Sequence, residues 1–328
     1  MKRTTFASTQ RVLRSLVLPV VFLATVCATR AGSFRSRMEK PEPVPPIVGR
    51  WDITIHQSGR EVPSWLEVTQ SGFSMLVGRF VGNGGSARPV SRVYFTGGKI
   101  NFSIPPQWER EDKDLSLEGV LQGDSLSGTI TNPNGSQYPF VAHRAPDLRR
   151  SADPVWGKPI QLFNGADLKG WHARGDNQWK AESGVLHSPH SGANIVTDAT
   201  FTDFKLHIEF RYPPGSNSGV YLRGRYELQI EDTGGTEPPN NQLGAIYGFL
   251  PPSGVMMKAA GEWQTYDVTL VGRMITVVFN GKTVICNQEI PGITGGALDS
   301  NEGEPGPIYL QGDHGPIEYR NIVITPVK

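Results

Sequence analysis

Apolar and polar residues alternate at every second position over much of this chain, in short runs separated by turn-forming residues. That pattern fits strands with one buried face, and it fits no long amphipathic helix. Between Ile47 and His143 the runs include Trp51-Ile53-Ile55, Met75-Val77, Ile100-Phe102-Ile104 and Leu115-Leu117. Their separators are Gln57-Ser58-Gly59, Ser71-Gly72, Gly97-Gly98, Gln122-Gly123-Asp124 and Asn132-Pro133-Asn134-Gly135. Evenly spaced short strands with hairpin turns predict an up-and-down meander closing on itself, a small barrel or half-barrel, over residues 47–145. The second half repeats the theme. Phe204, Leu206, Ile208 and Phe210 share one face, opposite Lys205, His207, Glu209 and Arg211. Asn280-Gly281 is a hairpin turn. The expectation for residues 159–328 is two packed antiparallel sheets, a jelly-roll sandwich, so the chain reads as all-β. Its 38 glycines and 26 prolines suit many tight turns.

The ends of these units follow from composition. Lys2, Arg3, Arg11 and Arg14 precede an apolar run from Leu16 to Ala28, which is too short to span a bilayer. Residues 1–31 therefore read as a cleaved signal peptide, and the protein as exported, periplasmic or secreted. A lipid anchor on Cys27 is the alternative, although Val26 before it suits a lipobox poorly. Contact with membrane is expected only through these two routes. Residues 32–46 and 146–158 read as linkers, and the second predicts that residues 155–328 fold alone. Cys286 is the one cysteine left after cleavage, and its strand pattern predicts a small buried hydrophobe. A formal net charge of +1 gives no footprint for nucleic acid.

Four polar clusters stand out in the second half. They are Asn217 to Arg223, Glu227 to Asp232, Gly244 to Gly248, and Gln311 to Gly315. Strand alternation puts Glu227, Gln229 and Glu231 on one face. Their spacing is marginal for the paired carboxylates of an ordinary glycosidase. His314 sits between Gly312 and Gly315 beside Asp313. It is either a general base oriented by a carboxylate, a metal ligand, or a turn histidine bonded to backbone.

These residues carry a resemblance. Leu162 to Trp171, Asn217 to Arg223, Tyr226 to Asp232, Gly244 to Gly248, Gly261 to Thr265, Gly306 to Gln311, Asp313 to Gly315 and Tyr319 to Ile322 resemble, in order, the 3-keto-disaccharide hydrolase domain family. The resemblance covers residues 160–327 and leaves the N-terminal half out. Gly312 interrupts the family's usual Gln-Asp-His-Gly string.

The resemblance implies a concanavalin A-like jelly roll acting on glycosides oxidised at C3. The ketone acidifies the C2 hydrogen, a base removes it, the C1 aglycone leaves by β-elimination, and water adds back for net hydrolysis. The implied catalytic residues are Glu227 and His314. The substrate-binding candidates are Asn217, Tyr221, Arg223, Gln229, Tyr247 and Gln311. Glu227, Asp232 and His314 are the candidate ligands of a divalent metal ion that would polarise the keto oxygen, with Arg223 as the metal-free alternative. No organic cofactor is expected, and the expected partner is a carbohydrate. The competing class is a non-catalytic, lectin-like carbohydrate-binding module stacking sugars on Tyr221, Tyr247 or Trp263.

Overall fold

The computed structural model describes residues 43–232, 236–254 and 256–328. The expected signal peptide and most of the first linker lie outside these residues. Among the described residues the fold is all-β, and its one helical element is a single 3-10 turn, Pro239–Asn241.

The first eight strands are β1 (Gly49–Gln57), β2 (Arg60–Ser71), β3 (Met75–Val81), β4 (Arg88–Thr96), β5 (Lys99–Ile104), β6 (Leu115–Gln122), β7 (Ser125–Thr131) and β8 (Gln137–Arg144). Each pairs antiparallel with the next, and β8 returns to β1 in the register Trp51↔Arg144 to Ile55↔Phe140. The sheet closes into a barrel and leaves no unpaired edge. Trp51, Ile53, Leu66, Phe80, Phe102, Leu117 and Phe140 fill its interior, as the period-two pattern requires.

The remaining strands are β9 (Ile160–Gln161), β10 (Trp171–Ala173), β11 (Lys180–Glu182), β12 (Val185–Ser188), β13 (Ile195–Thr197), β14 (Phe204–Arg211), β15 (Asn217–Leu222), β16 (Tyr226–Glu231), β17 (Gln264–Val271), β18 (Met274–Phe279), β19 (Lys282–Glu289), β20 (Tyr309–Leu310) and β21 (Ile317–Pro326). They form a five-stranded sheet in the order β10-β13-β20-β15-β16 and a larger sheet in the order β11-β12-β21-β14-β17-β18-β19, with β9 beside β21. Phe204, Leu206, Ile208 and Phe210 of the larger sheet share one apolar core with Val220, Leu222, Leu228 and Ile230 of the smaller one. Asn280 and Gly281 both take positive φ, and they turn β18 into β19.

Residues 44–328 make one compact unit. Trp65 and Val81 of the barrel belong to the apolar core of the sandwich, and Trp65 meets Phe249 edge-on at 5.2 Å between ring centroids. Removing the barrel would expose this surface. Residues 146–158 lie as a strap along the sandwich. Pro146 O accepts Arg273 Nη1 at 2.8 Å, Arg150 Nε pairs with Asp203 at 2.6 Å, and Gly157 N donates to Pro326 O at 2.7 Å.

Cys286 corrects one expectation: it is exposed, not buried. The register of β18 against β19 shifts between Ile275 and Val278, so Val284 and Ile285 are both buried in succession and the next side chain turns outward.

Candidate functional site

The site is built on the hairpin β15–β16. Tyr221 pairs with Glu227, Gly219 with Gln229 and Asn217 with Glu231, and these six share one face. Val220, Leu222, Leu228 and Ile230 take the other face and enter the core. β20 extends the polar face, because Tyr309 pairs with Tyr221. The two rings stack at 4.3 Å, 12° from parallel. Gln311 follows as the next residue of that alternation, and its N–H donates to Gly219 O at 3.0 Å.

On this face Glu227 is only 4% exposed and Gln229 3%. Two segments flank it. Residues 244–247 bond along β16, with Gln229 N to Ala245 O and Tyr247 N to Glu227 O, each at 3.0 Å. Residues 293–297 close the other end. Thr294 Oγ1 accepts Glu227 N, and Gly295 O accepts the Tyr221 hydroxyl, again at 3.0 Å. The Glu227 side chain folds over Gly219, where an added methyl would sit 2.5 Å from its carboxyl oxygen. A larger residue there would push the carboxyl aside.

Burial sets the electrostatics. It pushes the Glu227 carboxyl up to about 8, against the Tyr221 hydroxyl and the His314 charge, which favour ionisation. Burial and the Glu237 charge raise Glu231. Tyr247 is pushed up to about 12 by burial and by the charges of Glu227, Glu231 and Glu237. Its hydroxyl therefore stays a donor.

His314 stands across from these acids. Its Nδ1 is 2.6 Å from Asp313 Oδ1, and both side chains are about half exposed. The Asp313 bond raises the imidazole above its ordinary value against partial burial, and the charges of Glu227 and Glu231 add to it. Asp313 is partly buried, which opposes its charge, but His314 outweighs this and holds its carboxyl low. The structure thus brings Glu227, His314, Tyr221, Gln229, Tyr247, Asn217 and Gln311 to one region. The Gln311 side-chain oxygen is buried without a partner, and the Gln229 amide donates to Glu231 at 3.3 Å.

Two expected members go elsewhere. Arg223 was expected on the polar face. It lies beyond the end of β15 at φ 53°, and its Nη2 bonds Tyr226 Oη at 2.9 Å and Gly272 O at 2.8 Å. Tyr226 faces the core, so Arg223 is a buried strut between the sheets. Asp232 Oδ2 accepts Gly215 N at 2.9 Å and holds the loop before β15. Among the described residues no group of three or more His, Cys, Asp or Glu side chains is arranged to hold a metal ion. The expected Glu227–Asp232–His314 ligand set therefore does not fit. Trp263 has Arg211 and Arg320 over its ring, at 4.7 and 4.0 Å, and these cover it as a sugar platform.

Sequence reading missed Asn194 and Ser191. Asn194 Oδ1 accepts Gly312 N at 2.7 Å, while its Nδ2 reaches Tyr309 Oη at 2.7 Å and Asp313 Oδ2 at 3.3 Å. Ser191 Oγ bonds Asp313 O. Both sit in the irregular segment between β12 and β13, far in sequence from His314, where no periodicity marks them.

The model of the 3-keto-α-glucoside-1,2-lyase-like domain family matches residues 158–325, just over half of the chain. The chain belongs to this family. The 3-keto-α-glucoside-1,2-lyase-like match contains every residue of the polar face and excludes the barrel. Proposed glycosyl hydrolases of Parabacteroides distasonis are among the similar solved structures. One is 28% identical with a TM-score of 0.44, covering 56% of this chain and 96% of its own. Another is 27% identical with a TM-score of 0.43, covering 51% and 98%. Carbohydrate-binding module CBM66 from Bacillus subtilis is 10% identical with a TM-score of 0.34, covering 47% and 93%. A search of curated proteins gave no match.

Proposed function

We propose that the protein is an exported, carbohydrate-active enzyme that cleaves glycosidic bonds of 3-keto-glycosides, and that its sandwich is a concanavalin A-like jelly roll. The observation that carries this reading is a buried carboxyl, held near pH 8, facing an Asp–His pair across one polar face. Family membership supports it. His314, oriented by Asp313, takes the C2 proton of the 3-keto sugar. The electron pair moves into the enolate, with the Tyr247 hydroxyl as donor to its oxygen. The C1–O bond then breaks, and the leaving oxygen takes its proton from Glu227. This leaves a 1,2-unsaturated 3-ketone. Addition of water, hydroxyl to C1 and hydrogen to C2, gives net hydrolysis. Gln229, Gln311 and Asn217 supply hydrogen bonds to sugar hydroxyls. No step is routed through a metal, since the available carboxylates do not converge.

A buried, neutral carboxyl at working pH suits an acid better than a lectin contact, which favours exposed aromatics. Tyr221 and Tyr309 are both buried. The test is release of the aglycone from a 3-keto-glucoside and from its unoxidised parent, each with and without chelator. Turnover of the keto form alone is expected. Equal cleavage of both, or of neither, overturns the proposal.

A further inference from the structure

The barrel carries a second feature that nothing above uses. The loop between β5 and β6 presents Trp108 with 53% of its surface exposed. Yet the ring is held in place. Glu109 Oε2 accepts the N–H groups of Gln107 and Trp108 at 2.9 and 3.2 Å, and its Oε1 pairs with the buried Arg88 at 2.7 Å. The Arg88 guanidinium lies 4.8 Å from the ring centroid. Gly85 backs the indole so closely that an added methyl would stand 2.7 Å from it. An immobilised, half-exposed aromatic loses little conformational entropy when a partner packs on its exposed part. Around it lies a cavity of about 250 Å³ lined by Asn83, Arg88, Glu109, Glu111 and Asn134. That is just below the range of small-molecule sites and suits one sugar ring. The lining is rich in amide and carboxylate groups, the usual partners of sugar hydroxyls.

The rim of the cavity also packs against the segments that flank the site on the sandwich. The Gly84–Gly85 backbone abuts Gly295 with no room for a side chain there, and Gly295 O accepts the Tyr221 hydroxyl beside Glu227. On the other flank, a methyl on Gly248 would stand 2.7 Å from Ala87 N, and Gly248 follows Tyr247. One barrel segment, residues 84–87, therefore packs against both Gly295 and Gly248, at the segments that flank the polar face.

We propose that the Trp108 cavity is a sugar-binding subsite of the barrel, packed beside the segments that flank the Glu227 site. This deepens the function proposed above and rests on its carbohydrate-active reading, not on the elimination chemistry.

The test is calorimetric binding of sucrose, trehalose, cellobiose and maltotriose to the full chain and to Trp108→Ala, Trp108→Phe and Asn83→Ala, with melting curves for each. At least one saccharide is expected to bind. Trp108→Ala should weaken it about tenfold at unchanged melting, the scale of one lost stacking contact, while Trp108→Phe keeps most of the affinity. If Trp108→Ala also lowers melting, Asn83→Ala decides: weaker binding supports the subsite, and unchanged binding overturns it. Absence of binding by all four saccharides, or identical affinity in the stably folded Trp108→Ala protein, also overturns it. Trp108-dependent binding without turnover of a 3-keto-glucoside would uphold the subsite and sink the chemistry. Turnover with binding indifferent to Trp108 and Asn83 would do the reverse.

Discussion

Two buried carboxyls in this molecule are both pushed up to about 8, and they have opposite meanings. Asp52 lies on β1, on the barrel face that meets the sandwich. Burial and the neighbouring Glu302 raise it, while Arg273 and Arg225 oppose them. Glu302 in turn accepts Arg273 Nε at 2.8 Å and the Tyr226 hydroxyl at 2.6 Å. This is a closed cluster of fixed charges in which no group reaches water easily. Glu227 is raised by burial as well, but the positive group acting on it is His314, which is half exposed and whose imidazole is held above its ordinary value chiefly by Asp313. A raised carboxyl becomes a catalytic candidate when a second titratable group stands ready to exchange protons with substrate beside it. Without one, it is architecture.

Removing Glu302 should break the comparison at its architectural end, with the largest effect on the molecule. Glu302→Ala leaves the Arg273 guanidinium buried without its carboxylate, which costs about 3–5 kcal/mol when one partner of a buried pair is lost. Chemical denaturation at neutral pH should show that loss. A fall below 1 kcal/mol would mean that the cluster is solvated and the contrast with Glu227 is misdrawn. Glu227→Gln should act at the other end. The amide copies the shape of a carboxyl that is neutral in the fold and removes its ionisation in the unfolded chain, so melting at neutral pH should rise and not fall. Turnover of a 3-keto-glucoside should fall by ~10²-fold or more, the scale of a lost general acid, and His314→Ala should match it. Unchanged turnover in either variant would remove that residue from the mechanism.

How much of this was legible beforehand follows the range of the forces involved. The closed barrel and the two sheets could be read because side-chain alternation is local: Trp51-Ile53-Ile55 and Phe204 to Phe210 declare their buried faces within a few residues. The Asn280-Gly281 turn is equally local. The polar face on β16 was legible for the same reason, as was Asp313–His314. What failed depended on distant chain. Glu227 could not be read as buried, because residues 244–247 and 293–297, which flank it, come from distant chain. Arg223 was assigned to the polar face by continuing the alternation of β15 one residue too far, into a turn that sends it to Tyr226 and Gly272. Asp232 looked like a ligand until its bond to Gly215 was visible. Trp65 reads as an ordinary strand residue, yet it anchors the barrel in the core of the sandwich.

The smallest expected effect is a slope, and it tests both halves of the comparison together. Asp52 and Glu227 have ordinary values of 3.8 and 4.5 and sit near 8 in the fold. In between, the folded protein holds protons that the unfolded chain has released. Stability from these groups is therefore full below about pH 4 and is lost as pH rises toward about 8, by up to ~1.4 kcal/mol per pH unit for each group. His314 has the same sign, because its folded value is raised above 6.5 and its contribution fades as pH climbs through that value. Asp203, Glu209 and Asp313 are held low, so they oppose this only in acid, outside the window. Unfolding free energy should then fall steadily from about pH 5 to about pH 8. Asp52→Asn and Glu227→Gln should each flatten part of the slope, and the double variant should remove most of it, because the two sites share no partner. A wild-type curve that stays flat or rises across this window would mean that both carboxyls ionise normally. Flattening by Asp52→Asn alone would place Glu227 in water and withdraw its role as the acid.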